Sequence, residues 1–85
     1  MPSSIQASLS SNEMLHIQVN DPKLMSETIE YRILDTSSFI VRRGKFSGFE
    51  TQINLRHLDQ KKYNLQLIAE ESTLYETEFY KNAMI

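Results

Sequence analysis

The residue types able to act on another molecule fall in a few places along this chain. Arg42-Arg43-Gly44-Lys45 is the one basic cluster. Its guanidinium groups could hold an acidic glycan or a phosphate. Four tyrosines, Tyr31, Tyr63, Tyr75 and Tyr80, could offer flat rings for stacking against sugar. Tyr80 falls out of phase with Phe79 and is expected to face solvent. Arg42, Arg43 and Tyr80 are therefore the candidate ligand-binding residues. An exposed aromatic such as Tyr80 or Phe46, clustered with either arginine, would favour a carbohydrate-binding module. Scattered single aromatics would count against it.

His16 and His57 are the only histidines. Zinc usually takes about three or four protein ligands, and His57 with Asp59 supplies two. His16 alternates with Leu15 and Ile17 and reads as an outward polar residue. Glu70-Glu71 and Glu76/Glu78 offer carboxylates, but calcium takes ~6–8 oxygens from a folded loop. Glu76 and Glu78 are two apart, so in a strand they share one wet face. Charge there discourages edge-to-edge pairing. No serine sits in a nucleophile elbow, no glycine-rich phosphate loop occurs and no acid–base dyad is discernible. No metal, no cofactor and no enzymatic activity are expected.

The chain that must position these groups has 85 residues, enough for one domain, 1–85. A chain of this size buries roughly 60–65% of its unfolded surface, so its core is one thin layer. A net charge of -2 argues against nucleic acid as a partner, which would need a basic face. The absence of cysteine removes disulfides, thiolate metal sites and cysteine nucleophiles. No apolar run approaches the ~20 residues of a membrane helix, so no transmembrane segment is expected. Met1-Pro2-Ser3-Ser4-Ile5 has no basic stretch followed by an apolar one, so no signal peptide is expected in this chain. A cytosolic protein and a secreted one whose leader has been removed both fit that start.

Period-2 alternation runs through the chain. Ile5, Ala7 and Leu9 alternate with polar residues, as do Leu15, Ile17 and Val19, then Ile29, Tyr31 and Ile33. Phe39 to Arg43 is a fourth segment. Phe49, Thr51, Ile53 and Leu55 carry a fifth, Tyr63, Leu65 and Leu67 a sixth, and Tyr75, Thr77 and Phe79 a seventh. Such alternation is the mark of strands with one buried face. With only two glycines and two prolines, turns must come largely from Asn, Asp and Ser. Breaks fall at Ser10-Ser11-Asn12-Glu13, Asn20-Asp21-Pro22-Lys23, Asp35-Thr36-Ser37-Ser38, Gly44 to Gly48, Asp59-Gln60-Lys61-Lys62 and Glu70-Glu71-Ser72. Short strands at this spacing predict an all-β, seven-stranded antiparallel β-sandwich of immunoglobulin or fibronectin type III character. Its expected core is Leu15, Ile17, Ile29, Tyr31, Ile33, Ile53, Leu55, Tyr63, Leu65, Leu67 and Phe79. A helix over 55–69 competes, through Leu55, Leu58, Lys62, Leu65 and Ala69. It would place Lys62 in an apolar stripe, so strands are preferred. A single helical turn around Arg56 to Gln60 fits either reading. Tyr63 is expected to make the corner hydrogen bond of sandwich domains.

Several patterns also recur in known domains: Ile33-Leu34-Asp35-Thr36-Ser37-Ser38-Phe39-Ile40-Val41, Ile53-Asn54-Leu55, Leu58 through Tyr63 to Leu67, and Phe79-Tyr80-Lys81. In these the stretch from Leu15 to Lys81 resembles the C-terminal sorting domains of proteins exported by the type IX secretion system. It also resembles small secreted immunoglobulin-like or fibronectin type III-like domains of related bacteria. Both usually place glycine where Ser38 and Lys61 stand here. These two residues must then carry the cost of a positive φ, or the turns must be of type I. The resemblance implies a non-catalytic module, secreted or at the cell surface, in protein interaction or an accessory or sorting role. The implied partner is a protein or a glycan. A carbohydrate-binding module and a cytosolic protein-interaction domain are the alternatives.

Overall fold

Leu15-His16-Ile17-Gln18-Val19 shows why this chain forms strands. Leu15, Ile17 and Val19 are buried, while Gln18 is exposed between them. A pleated strand sends successive side chains to opposite faces, so this pattern suits one wet and one dry side. The computed structural model describes residues 5–10, 13–24 and 26–81. Seven strands form: β1 (Ile5–Leu9), β2 (Met14–Val19), β3 (Ile29–Leu34), β4 (Ile40–Phe46), β5 (Glu50–Asn54), β6 (Lys62–Ala69) and β7 (Ser72–Tyr80). They make two antiparallel sheets, one ordered β1-β2-β5 and the other β4-β3-β6-β7. The expected all-β, seven-stranded architecture is the one observed.

The sheets share one hydrophobic core. Ile5, Leu15, Ile17, Val19, Ile53 and Leu55 come from or adjoin the smaller sheet, and Ile29, Ile33, Tyr63, Leu65 and Leu67 from the larger. Of the expected core, Tyr31 and Phe79 are half-buried but pack against that cluster. Ile5, Val19 and Ala69 are buried beyond the expected set, because β1, β2 and β6 stay paired to their ends.

One strand runs well past its expected end at Arg43. Gly44 does not open a break. It sits inside β4, paired with Tyr31, and a Cβ built there would lie 2.6 Å from the Tyr31 hydroxyl. The tyrosine ring covers the glycine, so the break begins only after Phe46. The competing helix over 55–69 does not form, in line with the preference for strands, since β6 takes Lys62–Ala69 and residues 55–61 are an irregular connection. Among the described residues the one helical element is a 3-10 turn, Pro22–Leu24, entered through Asp21, whose Oδ1 accepts the Lys23 amide at 3.0 Å.

Turn chemistry follows from the scarcity of glycine. Ser38 has φ 67°, so it carries the left-handed cost itself. Asp35 organises that turn, its Oδ1 accepting the amides of Ser37 at 2.9 Å and Phe39 at 3.0 Å. Lys61, the other glycine position of the resemblance, is not left-handed. The β1–β2 turn instead places Glu13 at φ 64°, while Ser11 and Asn12 of that expected break lie outside the described residues. The Tyr63 hydroxyl donates to the Asp59 carbonyl at 2.7 Å, four residues upstream. This is the expected corner bond. Burial raises the Tyr63 pKa first, with the charges of Asp59 and Asp35 adding to it, so the hydroxyl keeps its proton. Tyr63→Phe is expected to lose about 1 kcal/mol in urea denaturation. No change would remove the corner role.

Candidate functional site

Arg42, Arg43 and Tyr80 are not brought together. Arg42 and Arg43 lie on β4, one edge of the four-stranded sheet, and Tyr80 ends β7, the opposite edge, with β3 and β6 between. Register sets the outer face of this sheet. Lys45 stands beside Glu30, Arg43 beside Arg32, Gln66 beside Glu76 and Asn64 beside Glu78. Charge is therefore sorted by strand: basic along β4, acidic along β7.

The charged groups between the two edges hold one another. Arg32 Nε donates to Glu30 Oε2 at 2.7 Å. That hydrogen bond lowers the Glu30 pKa, with smaller help from the charges of Arg32, Arg43 and Lys45. Lys62 Nζ pairs with Glu78 Oε2 at 2.7 Å, which raises the Lys62 pKa. Lys62 also lies 6.0 Å from the centre of the Tyr80 ring. Glu76 accepts from Gln66 Nε2 at 2.7 Å and Asn64 Nδ2 at 3.2 Å.

Apolar side chains mark both edges. Phe39 is 70% exposed and Ile40 43% exposed at the head of β4; Tyr80 is 62% exposed at the end of β7. Phe49, before β5, is also exposed. Phe46 and the other three tyrosines are spent on packing: Tyr63 is in the core, and Phe46, Tyr31 and Tyr75 lie against it. A row of tyrosines for sugar stacking is therefore not assembled. A polar cavity of 280 Å³ lies between the β3–β4 turn and the start of β6, lined by Asp35, Ser38, Asn64 and Glu78 among others. Among the described residues, Asn64 Oδ1 is buried without a hydrogen-bond partner.

His16 lies on the outer face of the smaller sheet, opposite Ser8 and Gln52. His57 and Asp59 sit in the β5–β6 connection and not on one strand face. Among the described residues no three His, Asp or Glu side chains group as a metal site, and no helix is long and apolar enough to cross a membrane.

Lys81 entered the sequence reading only through the Phe79-Tyr80-Lys81 pattern, and its burial was not foreseen. It is 2% exposed. Its Nζ donates to the carbonyl of Leu58, lies 3.5 Å from that of Arg56, and reaches Glu13 Oε1 at 3.7 Å. A lysine just after an alternating strand gives no sign of burial. The one available signal was the irregular 55–61 connection, whose carbonyls need donors from elsewhere. Compared with protein-family models and with curated proteins, the chain matches none.

Proposed function

We propose that this chain is a non-catalytic interaction module of fibronectin type III-like connectivity, secreted or at the cell surface, whose working surface is the β4 edge. The connectivity is supported by the strand order, β1-β2-β5 facing β4-β3-β6-β7, and by the corner bond of Tyr63. The secreted or surface setting rests on the resemblance in Ile33–Val41 and Leu58–Leu67. The observation that carries the proposal is the composition of β4. An edge strand opens on the exposed Phe39-Ile40 and continues into Arg42, Arg43 and Lys45. An unpaired strand edge offers backbone donors and acceptors to an extended peptide. Here the apolar head and basic flank select an acidic peptide with one apolar end.

The test is selection of binding peptides from a displayed library, followed by amide-shift mapping on the isotope-labelled chain. Acidic peptides that shift residues 39–46 are the expected result. Shifts at Tyr80 on titration with glycans would replace this reading with the carbohydrate one. No binding of either class at ~1 mM ligand would remove it. A cytosolic interaction domain would use the same edge, and locating the protein in its cell separates the two settings.

A further inference from the structure

The acidic strand that suits β4 is present on this molecule. We propose that the partner of the β4 edge is a second copy of the chain, whose β7 edge adds antiparallel to it. This rests on the reading of β4 as the interaction surface. β3 is antiparallel to both β4 and β6, and β7 is antiparallel to β6. β4 and β7 therefore run in opposite directions at the two edges. Copies set side by side in one orientation join β4 to β7 as an antiparallel ladder and continue the sheet.

Side chains select the register. In an antiparallel pair, placing Arg43 opposite Glu78 also places Lys45 opposite Glu76 and brings Tyr80 to the irregularity of β4 at Val41, next to Ile40. Both cationic groups then meet carboxylates, and the exposed Tyr80 arrives beside the apolar head of β4. Cross-strand pairs of opposite charge and of aromatic with β-branched residues are the favourable ones. The charges are available. Arg43 and Lys45 form no ion pair among the described residues, Glu76 accepts only from amides, and the Glu78 side chain is 64% exposed despite its bond to Lys62. The same charges block the alternatives. β4 against β4 sets cation on cation, and β7 against β7 sets carboxylate on carboxylate, so only the unlike edges pair. Such a head-to-tail contact adds copies without closing at a dimer.

The experiment is sedimentation velocity of the purified chain over a concentration series at ~0.01 M and ~1 M salt, where charges are screened over ~30 Å and ~3 Å. The expected result is a mass that climbs past dimer with concentration, with association at least tenfold weaker at high salt. Two variants then test the edges: Arg43→Glu with Lys45→Glu makes both edges acidic, and Glu76→Lys with Glu78→Lys makes both basic. Each is expected to be monomeric alone, and an equimolar mixture to associate again. Circular dichroism checks that each stays folded, and Glu76→Lys alone stands in if the double variant unfolds. A wild-type chain that is monomeric throughout overturns the proposal. So does association that both variants retain, or a mixture that stays monomeric. A monomer that still takes an acidic peptide at residues 39–46 removes the self-partner and leaves the interaction module standing.

Discussion

Lys81→Met is expected to destabilise the fold by about 3 kcal/mol, because it removes a buried ammonium and leaves its acceptors behind. Lys81 joins three parts of the chain. Its backbone amide donates to the Lys61 carbonyl at 3.0 Å, and its Nζ reaches the carbonyls of Arg56 and Leu58 and the carboxylate of Glu13. The β5–β6 connection has no ladder of its own for these carbonyls. Its other main-chain donors are engaged mostly nearby, Leu58 amide to Leu55 carbonyl at 2.9 Å and Arg56 amide to Asn54 Oδ1 at 2.8 Å, with the Leu55 amide alone reaching across to the Glu13 carbonyl at 2.9 Å. Methionine keeps most of the apolar stem, so the loss isolates the donor. Replacing both partners of a buried polar contact by apolar groups can be neutral, but here the acceptors are main-chain carbonyls and stay. Glu13 contributes less, since its side chain is one-third exposed and 3.7 Å away. In an 85-residue domain 3 kcal/mol is a large part of a total near ~4–13 kcal/mol, and it lowers Tm by roughly 12–24 °C. Thermal and urea unfolding of Lys81→Met against Lys61→Met, an exposed control, measures it. A Lys81 variant within about 0.5 kcal/mol of the control would show that water serves these carbonyls equally well.

The sandwich was legible and this clasp was not, for one physical reason. Strand alternation is a repeating signal. Leu15, Ile17, Tyr63, Leu65 and Leu67 each reinforce the same face, and a slip by one residue would turn the whole set to water. Tyr63 was legible too, since a tyrosine after a polar turn has one short reach back to the main chain. Lys81 depends on where a loop 23 to 25 residues earlier leaves its carbonyls, which no local pattern records. Gly44 failed differently. As a turn former it suggested a break, and only its pairing with Tyr31 shows a glycine kept because a ring lies on it. Arg42, Arg43 and Tyr80 could be named as candidates from residue type alone. Their separation was not readable, because strand order places β3 and β6 between them.

Glu70→Asn with Glu71→Gly is expected to stabilise the chain by about 1–2 kcal/mol. Ala69 pairs with Ser72, so these two residues alone turn β6 into β7, and both are left-handed, with φ 51° and 65°. A two-residue turn with both φ values positive matches the twist of its strands, which is why asparagine-glycine is its favoured sequence. For an ordinary L-residue that conformation costs roughly 1–2 kcal/mol, and here two glutamates carry it side by side. Against the gain stands the extra chain entropy that glycine brings to the unfolded state, roughly 0.5–1 kcal/mol. The hairpin keeps its register without good turn residues because the strands beyond it are anchored: Leu65 and Leu67 are buried, and Tyr63 stacks on Phe79 with centroids 5.8 Å apart. The substitution thus relieves strain in a turn whose register is fixed elsewhere, so Tm should rise by roughly 4–16 °C with an unchanged denaturant slope. Glu71→Gly alone should give about half of this. A fall in stability would mean that the glutamates hold the turn through contacts worth more than the backbone strain.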